Sequence, residues 1–337
     1  METPDIADPL LADLRELLHA PNLAYTTPPQ RLRGGAFALV YRFALREAPA
    51  PFNQPLVVRI LRRGGAHALQ HETTIQRQLA NLGYPAPPPL HGSESGGAIG
   101  LPYFIMPFAP GRMAGLTNPL AAPRTLANLH LQLHRLAVPG GLTIAPSPTN
   151  PSLEDLAALL QQPAHQRYLP VLEWLRANQP PPSPPAICHF DLHPGNVLMS
   201  GGRVTGVLDW EFAALAEPAA DVASTRLKVG TLFDLAAPAL ARRFKPARLV
   251  SPLIPLARWW FLRDYTRAYQ RGHALPDETI AYFEALLAVT ALAHAEIIEA
   301  AESEGDDHPA TLPSWPGRSG RRYVQQRLRA ITGLTID

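Results

Sequence analysis

The sequence predicts an α+β protein with two lobes, in which a small antiparallel sheet with one helix comes first and a larger helical part follows. Two apolar runs with alternating character, residues 34–43 and 55–61, are separated by a proline-containing turn and predict a strand hairpin. Residues 66–82 then place apolar side chains at helical spacing and end at Gly83. After residue 111 most apolar patterns have the helical period, which favours a helical second lobe.

The remaining elements follow in chain order. Residues 10–18 predict an opening helix, and residues 101–106 predict an apolar strand that ends in the irregular run at residues 107–111. We therefore assign residues 1–107 to the N-terminal lobe and residues 108–337 to the C-terminal lobe. Short strands are expected on both sides of a loop after residue 188. The helices predicted in the second lobe cover residues 123–136, 152–160 and 167–177, and others begin near residues 219, 249, 277 and 321.

The bulk composition argues against several classes of protein. The chain has 337 residues, of which 46% are hydrophobic and 17% charged, as in ordinary globular proteins. A formal net charge of +2 does not favour a nucleic-acid binder. The only cysteine, Cys188, excludes an intramolecular disulfide, and no apolar run approaches the roughly 20 residues of a membrane helix. We expect a cytoplasmic protein that binds neither nucleic acid nor membrane.

Polar residues with the spacing needed for phosphoryl transfer lie after residue 188. Asp191 and Asn196 are five residues apart on one predicted loop, and Asp209 follows beyond a two-glycine turn. Phosphoryl transfer requires bound phosphates, a metal ion that neutralises charge and a group that orients the attacking hydroxyl. We expect Asp191 to contact the hydroxyl, while Asn196 and Asp209 bind the metal.

These residues resemble the aminoglycoside phosphotransferase/choline kinase family, whose members are relatives of protein kinases. The resemblance covers about residues 34–221. The family's catalytic loop, H-G-D-x-x-x-x-N, is matched by His189-Phe190-Asp191-Leu192-His193-Pro194-Gly195-Asn196, and its I-D-W-E-like segment by Leu208-Asp209-Trp210-Glu211. It implies a bilobal protein-kinase-like fold.

The resemblance also implies a role for each matching residue. Asp191 would be the catalytic base or hydroxyl-orienting group, and Asn196 and Asp209 would bind Mg²⁺. Asp221 would support the catalytic loop from the following helix, and His189 would have a structural role. The implied co-substrate is ATP or GTP, and the implied acceptor is a hydroxyl on a small molecule.

Three departures from the family pattern occur in this sequence. Phe190 replaces the usual small residue of the catalytic loop, and Ala216-Glu217-Pro218 replaces the usual Gly-Asp-Pro. Arg59 lies at the strand position where most relatives have a phosphate-binding lysine, and no lysine precedes Lys228. A guanidinium group can bind phosphate oxygens and a carboxylate together, so Glu72 on the next helix is its expected ion-pair partner.

The nucleotide-binding part of the predicted site has two further components. Gly34 and Gly35 would form the loop that covers the nucleotide, because a strand and Arg59 follow them. Met106 lies in the predicted hinge, residues 104–108, whose backbone groups would contact the base.

We therefore expect a small-molecule kinase that transfers the γ-phosphoryl group of ATP or GTP to a metabolite or an antibiotic. The alternative is a nucleotide-binding pseudokinase with a sensing or scaffolding role, which Arg59 keeps open. A eukaryotic-type protein kinase is disfavoured, since the sequence has neither Asp-Phe-Gly nor Ala-Pro-Glu.

Three smaller patterns admit two interpretations each. His189 and His193 could bind a metal or make structural hydrogen bonds, and the latter is favoured because Pro194-Gly195 follows. An aromatic group after residue 258 could bind a quaternary ammonium, or pack in the core: Trp259, Trp260, Tyr265 and Tyr269. Acidic residues from 296 to 307 could bind a cationic acceptor, or form a solvated helix end.

Overall fold

The computed structural model describes residues 6–32, 38–61, 65–138, 150–243, 253–304 and 315–336. The chain divides into two compact units. The first contains Met1–Arg112 and Leu198–Glu211, and the second contains Met113–Val197 and Phe212–Asp337. The sequence-based boundary after residue 107 placed residues 198–211 with the helical lobe, whereas their contacts lie in the first unit.

The first unit is built on a five-stranded sheet in the order β1-β2-β3-β5-β4, with every neighbouring pair antiparallel. The predicted hairpin is present, because Val40 of β2 pairs with Arg59 of β3. The α+β prediction for this part of the chain is confirmed. The strand bounds are Ala24–Arg31 (β1), Ala38–Arg46 (β2), Leu56–Leu61 (β3), His91–Ser93 (β4) and Tyr103–Pro107 (β5).

Two helices belong to this unit. Helix α1 (Ala7–Leu17) buries Leu10 and Leu14 in a core that also contains apolar side chains of β2, β3 and β5. Helix α2 (Gly65–Asn81) follows β3 and ends just before Gly83, whose φ of 76° suits glycine. Both helices were expected from the period of their apolar residues.

Strand β1 was not predicted, because it contains Pro28 and Pro29. Proline cannot donate to a strand ladder and is confined to sheet edges or irregular positions. Both conditions hold here, since β1 is the edge strand of the sheet and its register with β2 shifts between Thr27 and Gln30.

The first unit also includes the hairpin of β8 (Val197–Ser200) and β9 (Arg203–Val207) and the loop that follows it. The N–H of Val207 donates to the carbonyl of Pro85 at 2.7 Å. Trp210 is fully buried and makes an edge-to-face contact with Tyr84, with ring centroids 5.6 Å apart. These contacts fix the loop that carries Asp209.

The second unit is mainly helical. Strand β7 (Ala186–Cys188) pairs with β10 (Ala214–Ala216), while the two-residue strand β6 (Arg112–Met113) lies at the unit boundary. Its helices are α3 (Ala114–Thr117), α4 (Ala122–His134), α5 (Leu153–Leu160), α6 (Leu169–Ala177), α7 (Pro218–Arg243), α8 (Leu253–Gln270), α9 (Asp277–Glu304) and α10 (Gly317–Thr332).

Helix α9 is the central helix of this unit and contacts α7 and α10. It is long and apolar enough to cross a membrane by length and composition, but 83% of its apolar window is buried inside the protein. This burial is typical of the core helix of a folded domain. Helix α5 begins with a capping box, in which Ser152 and Asp155 bond each other's backbone N–H groups.

Candidate active site

The catalytic loop, residues 189–196, connects β7 to β8 and is held by the buried carboxylate of Asp221 on α7. Oδ2 of Asp221 accepts the backbone N–H of His189 at 2.7 Å, and Oδ1 accepts that of Phe190 at 2.8 Å. Asp221 has no exposed surface. The structure therefore brings Asp221 to the loop, and the contact is to backbone groups.

The sequence analysis missed two histidines that contact Asp221, and it did not connect Tyr265 and Tyr269 with this carboxylate. Nε2 of His134 lies 3.1 Å from its Oδ2, and Nε2 of His130 lies 3.4 Å away. The other nitrogens of these rings bond the hydroxyls of Tyr269 and Tyr265, at 2.8 and 2.6 Å. Burial alone would raise the pKa of Asp221, but the two imidazoles hold it well below its ordinary value.

The contacts of Tyr265 and Tyr269 help to decide whether the aromatic residues after residue 258 form a cage or pack in the core. The hydroxyls of Tyr265 and Tyr269 are bonded to imidazoles and both rings are fully buried, which favours the core-packing interpretation. Trp259 is 54% exposed and carries the Arg263 guanidinium 4.8 Å from its ring centroid. The aromatic residues thus do not form one cage.

The carboxylate of Asp191 is bonded on both oxygens. Nδ2 of Asn196 donates to Oδ2 and to the carbonyl oxygen of Asp191, both at 2.9 Å. Nζ of Lys228 on α7 donates to Oδ1 at 2.5 Å. Burial alone would raise the pKa of Asp191, but Lys228 and then His193 lower it below its ordinary value. Asp191 is therefore held ionised and fixed in orientation.

The backbone of the catalytic loop is bonded to α7 at two further points. The hydroxyl of Ser224 donates to the carbonyl of Phe190, and that of Thr225 to the carbonyl of Leu192, both at 2.7 Å. Phe190 has a φ of 58°, a left-handed conformation that favours glycine. A small residue would suit this φ, whereas Phe190 adopts it with a fully buried ring, so this departure from the family pattern places a Cβ in a strained conformation.

We expect Phe190→Gly to be more stable than Phe190→Ala by about 1–2 kcal/mol, because only the alanine keeps a Cβ in the left-handed conformation. Both variants should be less stable than the parent by about 3–5 kcal/mol, since a buried ring is lost. Urea unfolding would measure the difference. Leu192 is the control: it is buried without a positive φ, so Leu192→Ala should be more stable than Leu192→Gly. If Phe190→Ala were as stable as Phe190→Gly, the backbone at residue 190 would not be strained by a Cβ in the left-handed conformation.

A second group of charged residues lies within the first unit and is called the Arg59 group: Arg59, Glu72, Asp209 and Glu211. Nε of Arg59 lies 3.2 Å from Glu72, and one terminal nitrogen lies 2.8 Å from Asp209 and 3.7 Å from Glu211. Arg59 is only 7% exposed and Glu72 1%. The predicted pair of Arg59 and Glu72 is thus a buried ion pair. Arg59 also bonds Asp209, the residue expected to bind the metal ion.

The pKa values within this group show how its charges are balanced. Burial alone would lower the pKa of Arg59, but the three carboxylates raise it above its ordinary value. Burial raises the pKa of Glu72 although Arg59 opposes the change. Among the described residues, one guanidinium therefore faces three carboxylates, whose oxygens are ligands of the kind that a divalent cation such as Mg²⁺ prefers.

The donor groups of the two expected metal ligands are also compatible with Mg²⁺, which prefers oxygen ligands. Asp209 uses one carboxylate oxygen for Arg59, and its φ is 69°. Asn196 directs its amide nitrogen to Asp191, which leaves its amide oxygen for another partner. Each side chain can therefore supply an oxygen.

Met106 is buried on β5 and pairs with Val57 of β3. On the other side of β5 the pairing with β4 covers Tyr103 to Ile105 and so ends one residue before Met106. Gly34 and Gly35 lie outside the described residues.

The predicted site residues thus form two groups, each within one unit. Arg59, Glu72 and Asp209 lie together in the first, together with Glu211. Asp191, Asn196, His189 and Asp221 lie together in the second, where Lys228 is the functional candidate that the sequence analysis missed. Nδ1 of His189 accepts the N–H of Asp191 at 3.2 Å, which favours its structural interpretation.

Comparison with known proteins places these groups in a family. The model of the phosphotransferase enzyme family matches residues 30–249, a span that contains every predicted site residue. The acyl-CoA dehydrogenase family member 11 of Pongo abelii is 29% identical over 179 residues, covering 47% of this chain and 22% of that protein. The homoserine kinase of Nitrobacter hamburgensis is 30% identical over 154 residues, covering 43% of this chain and 47% of that protein.

The chain therefore spans less than half the length of these curated relatives. Among solved structures, the aminoglycoside phosphotransferase APH(4)-Ia in ternary complex with AMP-PNP and hygromycin B matches with a TM-score of 0.61. The sequence identity is 14%, and the match covers 98% of each chain. This likeness confirms the predicted kinase-like fold.

Proposed function

Because the chain belongs to the phosphotransferase enzyme family, we propose that it is a small-molecule kinase that transfers the γ-phosphoryl group of ATP or GTP to an alcohol. The observation that carries the proposal is the environment of Asp191. Asn196 and Lys228 bond its two carboxylate oxygens, and Lys228 and then His193 lower its pKa against the effect of burial, which suits a group that accepts the proton of the acceptor hydroxyl.

The acceptor hydroxyl donates its hydrogen bond to Asp191 and is thereby oriented toward the γ-phosphorus. The new oxygen–phosphorus bond forms as the bond from that phosphorus to the β-phosphate oxygen breaks, and the nucleoside diphosphate leaves. The hydroxyl proton passes to Asp191. Since the transition state is loose, orientation contributes more than basicity, and a lowered pKa of Asp191 is compatible with this role.

The Arg59 group binds the phosphate end of the nucleotide in this proposal. Nε and one terminal nitrogen of Arg59 are bonded to Glu72 and Asp209, while the other terminal nitrogen has no partner among the described residues. It is available to a phosphate oxygen, in place of the usual lysine. Asn196 and Asp209 would hold Mg²⁺, which neutralises phosphate charge when bound.

The comparisons support this proposal at different levels. One relative is named as a homoserine kinase, and homoserine has an alcohol group. A solved structure of the same fold contains AMP-PNP and hygromycin B. The acyl-CoA dehydrogenase in the name of another relative does not extend to this chain, because the match covers 22% of that protein.

The test has two stages, binding and turnover. We expect Mg-ATP or Mg-GTP to raise the melting temperature of the purified protein, and release of ADP or GDP to require an added acceptor. Absence of Mg-nucleotide binding would contradict the proposal. Binding without acceptor-dependent release, across alcohols of every charge class, would favour the pseudokinase alternative that Arg59 keeps open.

A further inference from the structure

Lys228 is placed where it can contact an acceptor bound to Asp191. Its side chain is 8% exposed, and Nζ lies 2.5 Å from Oδ1 of Asp191 and 5.0 Å from the ring centroid of Phe212. Of the described residues, only Asp191 accepts a hydrogen bond from this ammonium. An ammonium has three donors, so two remain for other partners.

The geometry around the shared carboxylate sets what Lys228 can reach. A hydroxyl bonded to Asp191 lies about 2.6–3.2 Å from a carboxylate oxygen. Lys228 is bonded to the same carboxylate, so substituents on the carbons next to that hydroxyl lie close to Nζ. A cavity on the other side of Lys228, lined by Thr290, His294 and Trp315 among others, has a volume of about 20 Å³. It has room for roughly one water molecule, so an acceptor does not fit in this cavity.

Three other carboxylates of this unit, two of them buried and one partly buried, are bonded to cations or imidazoles. Glu284 is bonded by Arg226 and Arg327, and Asp221 by two histidines. Glu296, the first of the acidic residues considered as a cation site, is bonded by Tyr168, Arg167 and His165. These three carboxylates are therefore not available to a polycationic acceptor.

We propose that Lys228 selects the acceptor of the kinase reaction, and that the preferred acceptor carries an anionic group, such as a carboxylate, close to the phosphorylated hydroxyl. The proposal rests on the proposed function. A carboxylate there forms a charge-assisted hydrogen bond with Nζ, whereas an ammonium there is repelled by it. Nε2 of His193, 3.9 Å from Oδ2 of Asp191, lies on the other side of the same carboxylate.

The experiment compares acceptors that differ only in charge. Each hydroxycarboxylic acid in a series with two to five carbons between the functional groups is paired with its amide and with the amino alcohol of the same skeleton. Hygromycin B is added as a polycation. We expect the acid to exceed the amide in kcat/KM by about ten- to a hundredfold, and the amino alcohol to be the poorest.

Variants at residue 228 separate recognition from folding. Lys228→Met keeps the length of the side chain without its charge and should reduce the acid-to-amide ratio to near one. Lys228→Arg should retain most of the preference. The matched control, Arg271→Met, removes an exposed cation of the same unit and should leave the ratio unchanged.

A binding measurement makes the result independent of turnover. Acid and amide are titrated into protein loaded with Mg-ADP, for the parent chain and for Lys228→Met. Equal or weaker binding of the acid by the parent, or an unchanged preference in Lys228→Met, would overturn the proposal. If no acceptor of any charge is phosphorylated, the proposed function fails, and the binding measurement still decides the role of Lys228.

Discussion

Replacing Asp191 by asparagine is expected to lower kcat by about two to four orders of magnitude, while the affinity for Mg-nucleotide stays close to that of the parent chain. The amide cannot take the hydroxyl proton. The nucleotide phosphates are assigned to the Arg59 group, which this substitution does not touch. Rates of nucleoside diphosphate release and nucleotide titrations would measure the two effects.

The same substitution has a structural cost that must be separated from catalysis. Lys228 is almost fully buried against Asp191, and removing the carboxylate leaves its ammonium without that partner, at a cost of about 1–3 kcal/mol. The double variant Asp191→Asn with Lys228→Met should recover stability without recovering activity. Glu173→Gln, at an exposed side chain paired with Arg176, is the control for loss of one carboxylate. A fully active Asp191→Asn protein would refute the assignment.

Replacing Arg59 by alanine is expected to lower the free energy of unfolding by about 3–5 kcal/mol, because it leaves the buried carboxylate of Glu72 without its ion-pair partner. The KM for the nucleotide should also rise. Arg59→Lys should recover part of both losses, since an ammonium restores the charge but not the planar fork that bonds Glu72 and Asp209 together.

Chemical denaturation and nucleotide-dependent kinetics would test the Arg59 prediction. The matched control is Arg176→Ala, which removes a half-exposed guanidinium paired with Glu173 and should cost less than about 1 kcal/mol. If Arg59→Ala were no less stable than this control, the buried ion pair would not contribute as described.

The sequence predicts those parts of the candidate site that depend on short-range spacing. Asp191 and Asn196 lie on one loop, so their contact follows from a separation of only five residues along the chain. Arg59 and Glu72 are thirteen residues apart. Strand β3 carries Arg59 and is followed by α2, which carries Glu72, so the two side chains come together through consecutive elements. In both cases the local structure leaves few alternative partners.

The contacts missed by the sequence analysis depend on packing between distant helices. Lys228 reaches Asp191 from α7, and the period of α7 alone does not specify which loop its side chains meet. One feature of the sequence could have drawn attention to this residue: Lys228 is one of only two lysines in the chain. The spacing of His130 and His134 is a second such feature, because residues four apart share a helix face. Two imidazoles on a buried helix face require a polar partner such as Asp221.

The two prolines of β1 have a consequence for how concentrated solutions of this protein behave. A regular edge strand exposes unpaired N–H and C=O groups on which a second copy of the chain can add a strand. Neither Pro28 nor Pro29 has an N–H to offer to an added strand, and the shifted register with β2 makes the spacing of the other groups irregular. Addition of a strand from a second copy is thereby disfavoured along this edge, and with it aggregation by sheet extension.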